Sequence, residues 1–149
     1  ASSLVLEREI EAYKREHQGP IVERAGELFR ALTLGTWTGL ATGWSGADEA
    51  TLRCVRDGGR EVDVEGLSDG TRDQLYLALR LATIERFAVH AEPLPLVLDD
   101  AFVHFDDARA RAALTALADL APRAQVLFFT HHERLVTIAE KQGAPDPRS

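Results

Sequence analysis

The sequence predicts an α/β fold in which parallel strands pack with helices, joined to a small antiparallel sheet and an N-terminal coiled-coil stub. Two short apolar segments, 94–98 and 124–129, alternate with helix-length amphipathic segments, as in sheets whose parallel strands are connected by helices. Residues 36–64 are instead rich in β-forming and turn residues, which is typical of antiparallel strands. The 149 residues, 45% of them hydrophobic, suffice for one domain around one core.

The N-terminal segment, 4–32, carries apolar side chains at helical spacing with charged residues between them. A Gly-Pro pair at 19–20 interrupts the pattern, because proline lacks a backbone donor and clashes with the preceding turn, and a second helix is expected over 21–32. These helices either pack on the domain as ordinary amphipathic helices or form the last turns of a coiled coil, and there are too few heptads to decide. We place the domain boundary between 1–34 and 35–149.

The central segment, 36–64, predicts an antiparallel meander of short strands. Its clearest signal is DGGR at 57–60, because two successive glycines supply the positive φ angles of a tight hairpin turn.

The C-terminal half alternates between helices and strands. Residues 72–90 predict a helix that is apolar over a wide face and therefore well buried. The segment 94–100 is apolar and ends in two acids, which suits a strand buried on both faces of a parallel sheet, and 124–132 predicts a second buried strand. Further helices are expected at 107–120 and 133–141.

Composition narrows the possible partners and the compartment. The net charge of −7 argues against a broad nucleic-acid surface, because phosphate binding needs clustered Lys and Arg. No apolar run approaches the ~18 residues that span a membrane, and there is no secretion leader, so we expect no membrane partner. Cys54 is the only cysteine, which fits a reducing cytoplasm. A first residue other than Met and an abrupt helical start predict a piece of a longer protein.

Polar side chains follow both apolar strands: Asp99 and Asp100 the first, and Thr130, His131 and His132 the second. In open α/β sheets, ligands bind beyond the carboxyl ends of the strands. An acid at such an end can hold Mg²⁺ through water, a second acid can orient or deprotonate a water that attacks a phosphate, and a histidine can donate to a phosphate oxygen. Alternatively, the carboxylates cap the following turn and the histidines are structural.

A Ser-x-Gly-Thr turn, formed by Ser68, Gly70 and Thr71, precedes the long helix. Its hydroxyls, the free backbone N–H groups and the positive end of the helix dipole together suit an anion. The alternative is a plain N-cap, in which Ser or Thr satisfies the first N–H groups of the helix.

Four elements in this order resemble the C-terminal half of an ABC-type ATPase head. LSDGTRDQLYLALRLA resembles the ABC signature, LVLDDAFVHFDD resembles Walker B followed by the D-loop, and QVLFFTHH resembles the strand before the switch histidine. The series covers 66–139 and is most similar to the SMC/RecF-like class of DNA-repair and chromosome ATPases, in particular the large YhaN-like bacterial proteins. In these proteins a coiled coil separates the two halves of the head, which favours the coiled-coil interpretation of the N-terminus.

The resemblance implies a role for each matching residue. Ser68 and Gly70, with Thr71, would bind the γ-phosphate of nucleotide held by a partner head, and Asp106 would be the D-loop acid that faces that head. Asp99 would bind Mg²⁺, and Asp100 would take the place of the usual catalytic Glu. Either His131 or His132 would be the switch histidine.

Three positions depart from the family pattern. Asp69 replaces the first signature glycine and would repel a phosphate unless it turns outward, and Asp100 is one methylene shorter than Glu. Ala101 stands where Pro is common. These departures weaken the expectation of fast hydrolysis but not that of the fold.

The sequence contains no P-loop pattern, and neither of its two lysines, Lys14 and Lys141, follows a glycine-rich loop. The resemblance therefore implies an ATP- and Mg²⁺-dependent head that needs a separate P-loop-bearing half, pairs with a second head as a homodimer, and acts in DNA repair or maintenance, with DNA bound through the full-length protein. The alternatives are a non-catalytic scaffold or regulatory module with the same fold, and an unrelated phosphate-binding domain.

Overall fold

The computed structural model describes residues 19–45, 49–88 and 95–142. Helix α1 covers residues 19–32 of the described part, so the helix predicted over 21–32 is confirmed, whereas the coiled-coil prediction for the preceding residues lies outside the described ones. The remaining elements follow in the order β1 (Trp37–Ser45), β2 (Glu49–Arg56), β3 (Glu61–Asp63), a 3-10 turn (Val64–Gly66), α2 (Asp69–Ala88), β4 (Leu96–Asp99), α3 (Asp107–Leu120), β5 (Val126–Phe129) and α4 (Glu133–Lys141).

The first three strands form the predicted antiparallel meander in the order β1-β2-β3. Cys54 lies at its centre, opposite Leu40 on one side and Val62 on the other. The turn between β2 and β3 depends on Gly58 and Gly59, whose φ angles of 90° and 82° disfavour a side chain. Burial raises the pKa of the Cys54 thiol to about 11, which makes it an unreactive core side chain.

Helix α2 runs antiparallel to α1, and two side-chain contacts join their opposite ends. Near the N-terminus of α2, the buried Gln74 donates its Nε2 to the carbonyl of Leu32 at 2.6 Å. Near its C-terminus, Glu85 accepts from both Nε and Nη2 of Arg24, at 2.7 and 3.2 Å. Between these contacts, buried apolar side chains of both helices form part of the core. The helix begins three residues before the predicted start, because Ser68 caps it.

Strands β4 and β5 pair in parallel, as predicted, with Leu96 opposite Val126 and Asp99 opposite Phe129. The prediction that both faces are buried is wrong for this pair. One face packs into the core, where Phe128 of β5 stacks on Phe102 at 4.9 Å between ring centroids. The opposite face is open to solvent because no element of the described chain lies over it, and Val97, Leu127 and Phe129 are 47%, 39% and 55% exposed there.

Helices α3 and α4 have the predicted bounds and pack on each other beside the parallel strands. Both connect to the carboxyl ends of β4 and β5, so the loops that precede them hold the predicted site residues. Within the described part of the chain, no helix has both the length and the apolar character needed to cross a membrane.

Candidate functional site

The 68–71 turn, hereafter the signature turn, acts as an N-cap within this lobe. The Ser68 Oγ accepts from the backbone N–H of Thr71 at 3.3 Å and donates to the Thr71 hydroxyl at 2.8 Å. Thr71 is buried, so its hydroxyl supports the turn from inside. The N–H groups of Asp69 and Gly70 lie in the first turn, where an α-helix offers no internal acceptor. The turn therefore combines a cap with two donors directed along the helix axis.

Gly70 lies where the signature turn approaches the loop after β4. A Cβ atom at this position would lie 3.2 Å from the carbonyl oxygen of His104, which is closer than a side chain comfortably allows. The glycine thus brings the helix start against the 100–106 loop. The neighbouring Asp69 is exposed, and its negative charge lies in the first turn of α2, where the helix dipole favours an acid. That placement gives a physical reason for the acid that replaces the usual glycine.

Asp100 and His131 come together at the ends of β4 and β5. The Asp100 Oδ1 accepts from the backbone N–H of His131 at 3.1 Å, and its Oδ2 lies 4.0 Å from the His131 Nε2. The backbone N–H of Asp100 donates to the Phe129 carbonyl at 2.8 Å. The φ angle of Asp100 is 48°, an unusual value for a residue with a side chain, and these bonds hold it there.

The hydrogen bond from the His131 N–H lowers the pKa of the Asp100 carboxyl, and the Thr130 hydroxyl and both histidines act in the same direction. Asp100 is therefore an anion at neutral pH. A carboxylate of lowered pKa is a weak proton acceptor, so this arrangement suits the orientation of a water more than its deprotonation.

The two histidines have different surroundings. The His131 ring faces Asp100 and is 87% exposed, which leaves most of it accessible from outside the lobe. His132 is the N-cap residue of α4, and its N–H donates to the Thr130 hydroxyl at 3.1 Å. The structure thus brings His131 rather than His132 beside the strand-end carboxylate.

Asp106 caps helix α3. Its Oδ1 accepts from the Arg109 N–H at 2.8 Å, and its Oδ2 lies 3.9 Å from the Arg109 Nε. The loop before it is anchored in the core by Phe102 and Phe105, whose rings stack at 5.1 Å. Asp106 itself is 63% exposed, so a capping acid faces solvent from a rigidly anchored loop.

Asp99 ends β4 with an exposed side chain on the same face as the open apolar residues. Among the described residues, no group of three or more His, Cys, Asp and Glu side chains could hold a metal ion. One carboxylate oxygen at a strand end does fit Mg²⁺, because this ion keeps several waters and takes its other ligands from phosphates. The donor is of the right chemical kind, and the remaining ligands would come from outside this lobe.

A groove of about 390 Å³ separates the first half of α2 from the loop after β4. It places Asp100 opposite three polar side chains of α2 that are not among the residues predicted from the sequence: Asp73, Tyr76 and Arg80. Their spacing along the helix, three and four residues apart, was a signal that could have indicated a shared polar face. Arg134, which contacts the Asp106 loop, was missed as well, although it stands two residues after the histidine pair.

Comparison with known sequences gives one relative and no family model. No family model matches the chain. The chain is 37% identical over 132 residues to the uncharacterized protein YhaN of Bacillus subtilis (strain 168); the match covers 88% of the chain but only 13% of YhaN.

Solved structures of SMC heads share the fold, among them the following two. One was solved in work on ATP-driven dimerization and DNA-stimulated activation of SMC ATPases, and it matches with a TM-score of 0.68 at 16% identity, over 87% of this chain and 78% of that one. The other is the Smc head domain from Pyrococcus furiosus, with an extended coiled coil and bound to the C-terminal domain of ScpA. It matches with a TM-score of 0.69 at 16% identity, over 93% of this chain and 35% of that one. The chain therefore has the fold of the C-terminal lobe of an SMC-like ATPase head, as its sequence predicts, and it is similar in sequence to YhaN.

Proposed function

We propose that this chain is the C-terminal lobe of an ATP-hydrolysing head that pairs with a second head when ATP is bound and that works in DNA repair or maintenance. The observation that carries the proposal is the open face of the β4–β5 pair. A two-stranded sheet is marginal by itself, and here Val97, Leu127 and Phe129 expose an apolar surface beside Asp99. A P-loop-bearing half would cover this face and bring nucleotide to the strand ends.

The strand-end residues would then share the chemistry. Mg²⁺ supplies charge neutralisation between the phosphates, and Asp99 would hold it through its carboxylate. Asp100, kept ionised by the His131 N–H, would orient the attacking water, and the accessible His131 ring would donate to a phosphate oxygen. Ser68 and the N–H groups of the signature turn would contact nucleotide on the opposite head. DNA would be bound through the full-length protein, because this chain carries a net charge of −7.

The test measures ATP turnover by the full-length protein and its Asp100→Asn variant. Asn keeps the shape of the side chain but loses the charge that polarises water, so we expect turnover to fall about a hundredfold while ATP binding stays unchanged. Asp119→Asn, on the exposed face of α3 away from the strand ends, is the matched control and should retain full turnover. Equal turnover in Asp100→Asn and wild type would remove Asp100 from the mechanism.

A second candidate is a non-catalytic scaffold with the same fold. It is favoured by the lowered pKa of Asp100, which makes this carboxylate a weak base, and by its short side chain. A full-length protein that pairs with ATP but shows no turnover above the background of the assay would identify the scaffold.

A further inference from the structure

The loops that follow β4 and β5 are joined at two separate points. The first is the contact between Asp100 and His131 described above. The second lies one helical turn further on, where Arg134 in the first turn of α4 reaches across to the loop that leads into α3. The second contact has no part in the roles assigned so far.

Arg134 holds the loop on both sides of Asp106. Its Nη2 donates to the backbone carbonyl of Phe105 at 3.0 Å, and its Nη1 lies 3.2 Å from the Asp107 Oδ1. A planar guanidinium can make both contacts at once because its N–H groups point in fixed directions. The residue between the two contacted positions is therefore tied to the start of α4.

Arg134 contacts the residues on either side of Asp106 rather than its carboxylate. In the described part of the chain, that carboxylate contacts Arg109, at the start of its own helix. Phe105 fixes the loop from the core side, and Arg134 fixes it from the α4 side. Since α4 also begins directly after the histidines, the Arg134 contacts connect the position of the histidines to that of the loop around Asp106.

The Arg134 contact contributes little to stability by itself. The Arg134 and Asp107 side chains are 48% and 51% exposed, and ion pairs at such positions add little to the free energy of unfolding. A side chain with two directed contacts and little stabilising effect is suited to positioning.

We propose that Arg134 is a positioning residue that sets Asp106 relative to the histidine loop for contact with a second head. This inference rests on the proposed function, in which Asp106 faces that head. It adds a residue outside the four motifs, and it predicts that the loss of Arg134 impairs head pairing but leaves nucleotide binding intact.

The experiment compares full-length wild type with Arg134→Ala, Arg134→Lys and the control Arg123→Ala. Arg123 is exposed, and within the described part of the chain its side chain makes no hydrogen bond or ion pair. In Arg134→Ala we expect faster hydrogen exchange of backbone N–H groups in 105–109 and about tenfold weaker ATP-driven pairing in sedimentation. Binding of a fluorescent ATP analogue should change by less than about twofold. Lys keeps the charge near Asp107 but cannot make both contacts. Hydrogen exchange and pairing of Arg134→Lys should therefore lie between those of wild type and Arg134→Ala.

The outcomes separate the two proposals. If wild type pairs with ATP and Arg134→Ala pairs equally well, Arg134 does not position Asp106. The same follows if Arg134→Ala weakens nucleotide binding and pairing in equal proportion, because that pattern indicates general damage to the fold. A wild-type protein that does not pair with ATP would overturn the proposed function, and this inference with it.

Discussion

At the scale of single residues, several residues of the candidate site also have a structural role in the lobe. Ser68 and Asp106 cap helices, Gly70 allows close approach to His104, and Asp100 is held by the His131 N–H. Structural and functional interpretations are thus not exclusive at these positions. A useful substitution is one that retains the structural contact and removes only the proposed chemistry.

Ser68 allows such a separation. Asp is as good an N-cap as Ser, so Ser68→Asp should retain the free energy of unfolding, whereas Ser68→Ala should lower it by about 1 kcal/mol. Asp also places a negative charge where the opposite head's phosphate is expected, so Ser68→Asp should abolish ATP-driven pairing of the full-length protein. Denaturant unfolding and sedimentation with ATP measure the two effects. Normal pairing of Ser68→Asp would show that the signature turn is only a helix cap.

At the scale of elements, α1 and α2 behave as one unit because polar contacts join both of their ends. Gln74 lies three positions after Thr71 in the signature turn. Its side-chain amide donates a hydrogen bond to the carbonyl of Leu32, the last residue of α1. The pair of helices therefore connects the first half of α1 to the helix that follows the signature turn. This connection depends on a buried polar side chain that makes one hydrogen bond through its Nε2.

We predict that Gln74→Leu lowers the free energy of unfolding by about 1–3 kcal/mol, because the Leu32 carbonyl then lacks its buried partner. The gain from removing the Gln74 Oε1, which has no hydrogen-bond partner, makes the lower part of this range the expected result. Gln142→Leu is the matched control, since its amide bonds only exposed groups of α3, and it should change stability by no more than about 0.5 kcal/mol. Urea unfolding measures the free energy of unfolding of both variants. Equal values for Gln74→Leu and Gln142→Leu would show that the buried contact is dispensable.

At the scale of the whole molecule, the described residues leave one face of β4 and β5 open to solvent. Its apolar side chains lie beside the exposed Asp99, so one surface combines a hydrophobic contact area with a candidate Mg²⁺ ligand. The proposed P-loop half would bury the hydrophobic area and bring nucleotide and Mg²⁺ to Asp99.

We predict that Phe129→Asp leaves the lobe folded and weakens its association with a separately expressed P-loop half at least about tenfold, because the burial of one Phe contributes roughly 1.5–3 kcal/mol. Leu34→Asp is the control: Leu34 is 56% exposed in the turn between α1 and β1, outside the open face. Circular dichroism checks the fold and co-purification checks the association. Unchanged association of Phe129→Asp would exclude this face as the contact surface.

Much of the fold follows from local pattern. The bounds of α3 and α4, the Gly58–Gly59 turn and the parallel pairing of β4 and β5 agree with the sequence, because capping residues, paired glycines and short apolar runs act over a few positions. The order of the motifs likewise predicts the fold of an SMC-like head, which the solved structures share. The site roles and the boundary at residue 34 stay predictions.

What local pattern could not supply depends on neighbours distant in the chain. The sequence shows that β4 and β5 are apolar, but an apolar strand with one open face can have the same composition as one covered on both faces, so only the structure reveals that Phe129 is exposed. That His131 lies beside Asp100 depends likewise on a contact between residues thirty-one positions apart. The contact of Arg134 with Phe105 depends in the same way on how two loops meet, because a long side chain selects its partner only after the helices have packed.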